Sequence, residues 1–131
     1  MTPAYDTAVW LATHLTLAMG TSCFEGAPVD DNGLASDPSV FVAATGGPSV
    51  EEALGRGSSI WWPTMQVVAR GTNRVTTQAL ARLAATTVTD KDPPSGYVSC
   101  DVLDSEPLLV DVDDKGRYYY SVNMRLTARR S

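Results

Sequence analysis

Between Tyr118 and Ala128 the side chains alternate without a break. Tyr118, Tyr120, Val122, Met124, Leu126 and Ala128 fall on one side, and Tyr119, Ser121, Asn123, Arg125 and Thr127 on the other. Alternation of this length is the pattern of a β-strand with one buried face. It constrains the fold strongly, because a one-residue slip in pairing would turn the whole apolar set to the opposite side. Upstream, Leu108–Val112 and the turn Asp113-Asp114-Lys115-Gly116 complete a hairpin, with Gly116 supplying the positive φ that such a turn needs.

Other segments supply partners for that strand. Ser39–Thr45 is apolar without alternation, which predicts a strand buried on both faces. Met65–Arg70 alternates and predicts another strand, followed by a helix capped by Thr72 or Asn73. The apolar positions of this helix are Val75, Ala79, Leu80, Leu83, Ala84 and Val88, with Arg74, Gln78 and Arg82 on its polar flank. Near the N-terminus, Pro3 opens a helical stripe of Ala4, Ala8, Leu11, Leu15 and Ala18 or Met19, with Gly20 as its stop. Residues 20–38 read as a Gly/Asp/Ser/Pro connector, and 90–96 as a turn. Tyr97–Leu103 reads as a strand with Val98, Cys100 and Val102 facing inward. The expected order is α-β-β-α-β-β-β: a single α+β domain over residues 1–131, its sheet mostly antiparallel or mixed, with two helices packed on one face.

Between the two central strands lies a polar, Gly-rich loop of 17 residues, 46–62. Loops beyond about 12–15 residues are uncommon in compact domains and usually functional or disordered. Ser49 and Glu52 predict one capped helical turn over 49–54. The loop ends in an apolar knot, Ile60-Trp61-Trp62-Pro63. Its rings either pack under the loop or form a contact surface, since Trp is enriched at interface hot spots. Tyr119 faces away from Tyr118 and Tyr120 and carries the same ambiguity.

The 44% hydrophobic and 19% charged composition is that of a globular chain. The net charge of −5 is uneven. Residues 1–69 carry seven acids (Asp6, Glu25, Asp30, Asp31, Asp37, Glu51, Glu52) against Arg56 alone, whereas 70–131 carry eight acids and nine bases. An acidic half argues against non-specific nucleic-acid binding, which needs a basic surface. It suits a surface that DNA slides past. Two cysteines are too few for a disulfide framework. No signal peptide or membrane span is expected, since no apolar run approaches about 18 residues.

The catalytic and metal templates fail, and the chain is expected not to be an enzyme, with no metal and no cofactor. Asp111-Val112-Asp113-Asp114-Lys115-Gly116 resembles the start of a calcium loop, but Lys115 replaces a ligand and Val122 stands where the bidentate Glu belongs. A hairpin turn explains its Asp and Gly residues. His14, the one histidine, reads as a partly buried structural residue of the first helix. Gly57-Ser58-Ser59 lacks the setting of a nucleophile elbow, and the glycine pairs at 46–47 and 55–57 lack the Lys-Ser or Lys-Thr of a phosphate cradle.

The succession V-F-V-A-A-T-G-G-P (40–48), P-T-M-Q-V-V-A-R-G (63–71) with its helix, and S-E-P-L-L-V-D-V-D-D-K-G-R-Y-Y-Y-S-V-N-M-R-L (105–126) resembles the tail terminator proteins of long-tailed bacteriophages. Some members of that family are labelled minor capsid or tail-completion proteins. The resemblance runs over roughly residues 1–128 and is weakest at 20–38. It implies a virion protein of the tail or neck, assembled in the host cytoplasm. Such subunits form a hexameric ring that caps the tail tube, ends its polymerisation and joins the head-side connector or stopper protein. DNA would pass the lumen without specific binding, and no membrane is involved. A ring requires head-to-tail contacts. On this reading Glu51, Glu52, Arg56, Trp61 and Trp62 contact the tube or a neighbour. Arg70, Arg74 and Arg82, on the second-helix side, pair with acids of the adjacent subunit, and Tyr119 sits at an interface. Two rivals remain: another neck component (a head-completion or stopper protein), and a small cellular ligand-binding α+β domain with Trp61 and Trp62 lining a pocket.

Overall fold

The structure, a computed structural model, describes residues 2–26, 38–46, 51–52 and 59–130. The elements run α1 (Pro3–Leu15), β1 (Cys23–Glu25), β2 (Ser39–Gly46), β3 (Glu51–Glu52), β4 (Ser59–Trp61), β5 (Thr64–Gly71), α2 (Arg74–Asp90), β6 (Ser99–Val102), β7 (Leu108–Val112) and β8 (Tyr118–Arg130). The expected α-β-β-α-β-β-β order is present as α1-β2-β5-α2-β6-β7-β8, with three short strands added.

The alternating strand is the axis of the sheet. Along one edge β8 pairs antiparallel with β5, from Gly71 opposite Tyr118 to Thr64 opposite Arg125. The same register resumes in β4, where Trp61 faces Ala128 and Ser59 faces Arg130. Between them the Leu126 N–H donates to the Pro63 carbonyl at 2.9 Å. Residues 59–71 therefore follow β8 in one continuous register. Pro63, which has no N–H to give, divides that strand in two. Along its other edge β8 carries β7 and β6. Beyond β5 lies antiparallel β2, and then β1, parallel to β2. The sheet is thus mixed, as expected.

Both helices cover the face bearing Val40, Val42, Met65, Val67, Met124 and Leu126. In α1 the Thr2 hydroxyl accepts from the Tyr5 N–H, Pro3 occupies the first turn, and Ala4, Thr7, Ala8, Leu11 and Ala12 are buried. The helix stops at Leu15, not at Gly20, because Thr16 turns left-handed at φ 57°. His14 is exposed rather than partly buried and meets the edge of Trp10, with ring centroids 5.1 Å apart.

In α2 the cap is Asn73, whose side chain accepts from the Thr76 N–H at 3.0 Å. Its buried residues are Thr77, Ala81, Ala84, Thr87 and Val88, while Val75 and Leu83 are 76% and 52% exposed. The expected stripe is displaced because threonine serves here as a core residue. The Thr77 and Thr87 hydroxyls donate to the carbonyls of Asn73 and Leu83 one turn back, so burying them leaves no polar group unpaired. Val98 likewise misses its inward place and is 63% exposed, although Cys100 and Val102 pack on the core side. The two thiols join sheet to helices: Cys23 donates to the Ala8 carbonyl and Cys100 to that of Val88. Burial pushes the Cys23 thiol up to about 11.

Candidate assembly interface

The segment 46–62 is not one irregular loop. The β2–β5 pairing shifts register between Ala44 and Gly46, and among the described residues of the segment β3 pairs antiparallel to β4 (Glu51 opposite Ile60, Glu52 opposite Ser59). A bulge of this kind bends a strand locally. Glu51 and Glu52 are therefore extended, not part of a helical turn; Ser49 and Leu54 lie outside the described residues. So do Arg56 and the side chains of Glu51 and Glu52. What the structure places is an arm. It is anchored through β4 on the last residues of β8, with Trp61 and Trp62 half-buried at its base.

Arg74 and Arg82 do lie on α2, but each has a partner within the chain. Arg74 Nε donates to the Tyr120 hydroxyl at 3.1 Å. Arg82 pairs with Glu106 at 3.0 Å, with both side chains more than half exposed. The acid expected from a neighbouring subunit is supplied by the connector before β7. Beneath this ion pair is a cleft of about 400 Å³, with Ala85, Val102 and Val122 among the residues lining it and Asp90, Asp104 and Glu106 as its acids. In water such an exposed pair contributes about 0–1 kcal/mol, and both groups can exchange partners.

Arg70 and Tyr119 are not at an exposed interface. Alternation along β5 sends Met65, Val67 and Ala69 toward the helices, so Arg70 points to the opposite face, where it is fully buried. Its guanidinium carbon lies 5.1 Å from the centroid of the Phe41 ring, and Phe24 stacks on Phe41 at 5.2 Å. Tyr119 stands opposite Arg70 in the ladder and is also buried. The correction to both residues has one cause: this sheet has a second buried face, with Phe41, Val68 and Tyr119 as its apolar cluster.

Tyr119 leads to residues that carry only a turn signal when read locally. Its hydroxyl donates to Asp113 at 2.8 Å, and the same carboxylate accepts from Arg117 Nε at 2.7 Å and from the backbone N–H groups of Lys115 and Arg117. Burial pushes the Asp113 carboxyl up. The hydrogen bonds from Arg117, Tyr119 and Lys115 outweigh that and hold it well below the usual carboxylate range. The Asp-rich run is thus organised around its own hairpin. Among the described residues no three His, Cys, Asp or Glu side chains are grouped to hold a metal ion, and no helix is long and apolar enough to cross a membrane.

The hairpin also presents a surface that the reading of the sequence did not single out. Every residue of β7 is exposed, Leu108 at 65% and Val110 and Val112 at nearly half. At the far end of β8 lies a shallow groove of about 200 Å³ formed by Ile60, Val98, Thr127, Ala128 and Arg129. The pattern of β7 was visible in the sequence, but its position at a sheet edge depends on long-range pairing.

The fold is similar to that of a chain in a solved structure described as the virion of a native gene transfer agent (GTA) particle. The TM-score is 0.56 and the identity 15%, over 96% of this chain and 95% of that one. At that identity the likeness is one of fold. No curated protein matches the chain. A family profile described as bacteriophage tail terminator protein matches residues 28–130, which take in every element from β2 to β8. By that match the chain belongs to the bacteriophage tail terminator family.

Proposed function

We propose that this structural tail protein forms a ring that caps the phage tail tube. The ring ends tube polymerisation and joins the tail to the head-side connector, without catalysing a reaction. Family membership supports the tail role. The observation that carries the finer reading is the β3–β4 arm, held on the sheet through β8 rather than hanging as a free loop. Binding segments mounted on a rigid frame are the usual way to fix a contact in space. The ring is a homo-oligomer, hexameric if it follows the family expectation, and its other partners are the tube protein and the connector or stopper. DNA passes through its lumen without specific binding, which the acidic N-terminal half favours.

In this reading Glu51, Glu52, Arg56, Trp61 and Trp62 are the arm's contact residues. Arg74 and Arg82 act at a subunit boundary by exchanging their intrachain partners. Negative-stain imaging of the purified chain, alone and with tail tubes, tests the proposal. Rings seated on one tube end, with no further growth there, are expected. A chain that stays monomeric and leaves tube ends growing would overturn it.

A further inference from the structure

Two surface patches at opposite ends of β8 remain without a role. The first is the β7 edge. Leu108, Val110 and Val112 are exposed there. Asp111 and Asp114 flank them as exposed acids, with Lys115 beside Asp114. Exposed aliphatic edge strands invite association unless something blocks strand addition. Here something does. The pairing with β8 shifts between Leu109 and Asp111, and the Asp111 carboxylate accepts the Val112 N–H at 2.9 Å. The regular backbone row is interrupted, so the edge offers its side chains rather than a place for another strand.

The second patch is the groove among Ile60, Val98, Thr127, Ala128 and Arg129. Its volume of about 200 Å³ is several times the roughly 30 Å³ of one water. Val98 in it is 63% exposed. Arg129 stands exposed at its rim, and Arg125, 3.8 Å from Asp101, lies close by on the same strand face. Leu108 is opposite Ser121 and Val98 bonds to Thr127. The two patches are thus separated by about 20 Å along the strand.

We infer that these patches are two halves of one contact, and that the occupant of each is a second copy of this chain. Leu108, which lies on the same sheet face as Asp111 (opposite Ser121 and Tyr119), seats in the groove at Ile60 and Val98 of the next copy, with Asp111 and Asp114 meeting Arg129. Apolar surface faces apolar surface and acid faces base, an arrangement that selects one register of docking. The patches share no residue. When each patch engages a different neighbour the contact is head-to-tail and can repeat around a ring, whereas reciprocal pairing of both patches between two copies would close a dimer. The inference rests on the ring reading above and assigns the surfaces that close it.

The test is sedimentation velocity on the full chain, with and without tail tubes, for four variants. Leu108→Asp should weaken self-association by about thirtyfold or more, as for loss of a central anchor. Asp111→Arg and Arg129→Glu should each weaken it about fivefold, and the double variant should recover most of that loss. All the changed residues are exposed, and unchanged thermal melts would show that the fold is intact. Single reversals without effect, or a double variant no better than either single one, would overturn the pairing while rings still form. Variants that form rings normally but fail to seat on tubes would make the tube protein the occupant and equally overturn it. A wild-type chain that never assembles, even with tubes, would remove the ring reading itself.

Discussion

The two faces of the sheet are both buried but held by different physics. The helix-covered face is an aliphatic layer of Val40, Val42, Met65, Val67, Met124 and Leu126 under two helices. Its strength is apolar area removed from water, at roughly 25 cal/mol per Å². The other face sets Phe24, Phe41, Val68 and Tyr119 beside the buried Arg70, and continues into the Asp113–Arg117 hairpin. There, directed contacts must offset the cost of taking polar groups out of water. The first face should respond to lost volume, and the second to lost hydrogen bonds.

The largest effect belongs to the first face. Leu126 is fully buried in the middle of the helix-covered cluster. Leu126→Ala should cost about 2–5 kcal/mol in urea unfolding, because packed surroundings collapse only partly into the space left. A loss below about 1 kcal/mol would mean that this layer is loose, and the contrast between the faces would fall. Next comes the close approach of α2 to β5. A Cβ on Gly71 would collide with the Thr77 hydroxyl, which is tied to the Asn73 carbonyl. Gly71→Ala should therefore cost about 1–3 kcal/mol, the usual penalty of overpacking. Gly71→Ala in a Thr77→Ala background should cost less, since the colliding group is gone.

The same contrast decides what could be read in advance. Simple periodicity located β8 and β5 and assigned the two sides of Tyr118–Ala128 correctly, because one face of each carries the apolar set under the helices, while β2 was legible as an unbroken apolar run. It misplaced the inner side of α2, where Thr77 and Thr87 are buried with their hydroxyls turned to their own helix. It sent Arg70 and Tyr119 to an outside surface, since nothing local tells a polar residue in a two-sided sheet that its face is covered. The arm escaped notice for another reason. β3 is only two residues long, and its pairing, like that of β4 with β8, depends on residues far away in sequence. Of the candidate interface, the Trp knot was legible; the β7 edge required the topology.

The smallest expected effect probes the second face. Tyr119→Phe keeps the ring among its neighbours and removes one donor to Asp113, at a cost of about 1 kcal/mol at neutral pH. The pH dependence follows from the direction of the Asp113 shift. In the folded chain its carboxyl is held below the ordinary 3.8, with the hydrogen bonds outweighing burial. The folded state thus favours the ionised form. Its stabilising contribution is complete above the unfolded value and is lost as pH falls from there through the folded value. Removing the Tyr119 hydroxyl brings the folded value partway back up, so the variant has less of this contribution to lose. The unfolded value is common to both chains, so urea titrations should show a gap between wild type and variant that is constant down to the variant's folded value, itself below 3.8, and narrows only beneath it. A gap that stays constant into acid would mean that the Tyr119 hydroxyl does not depend on the charged carboxylate. The second face would then be held, like the first, by packing alone.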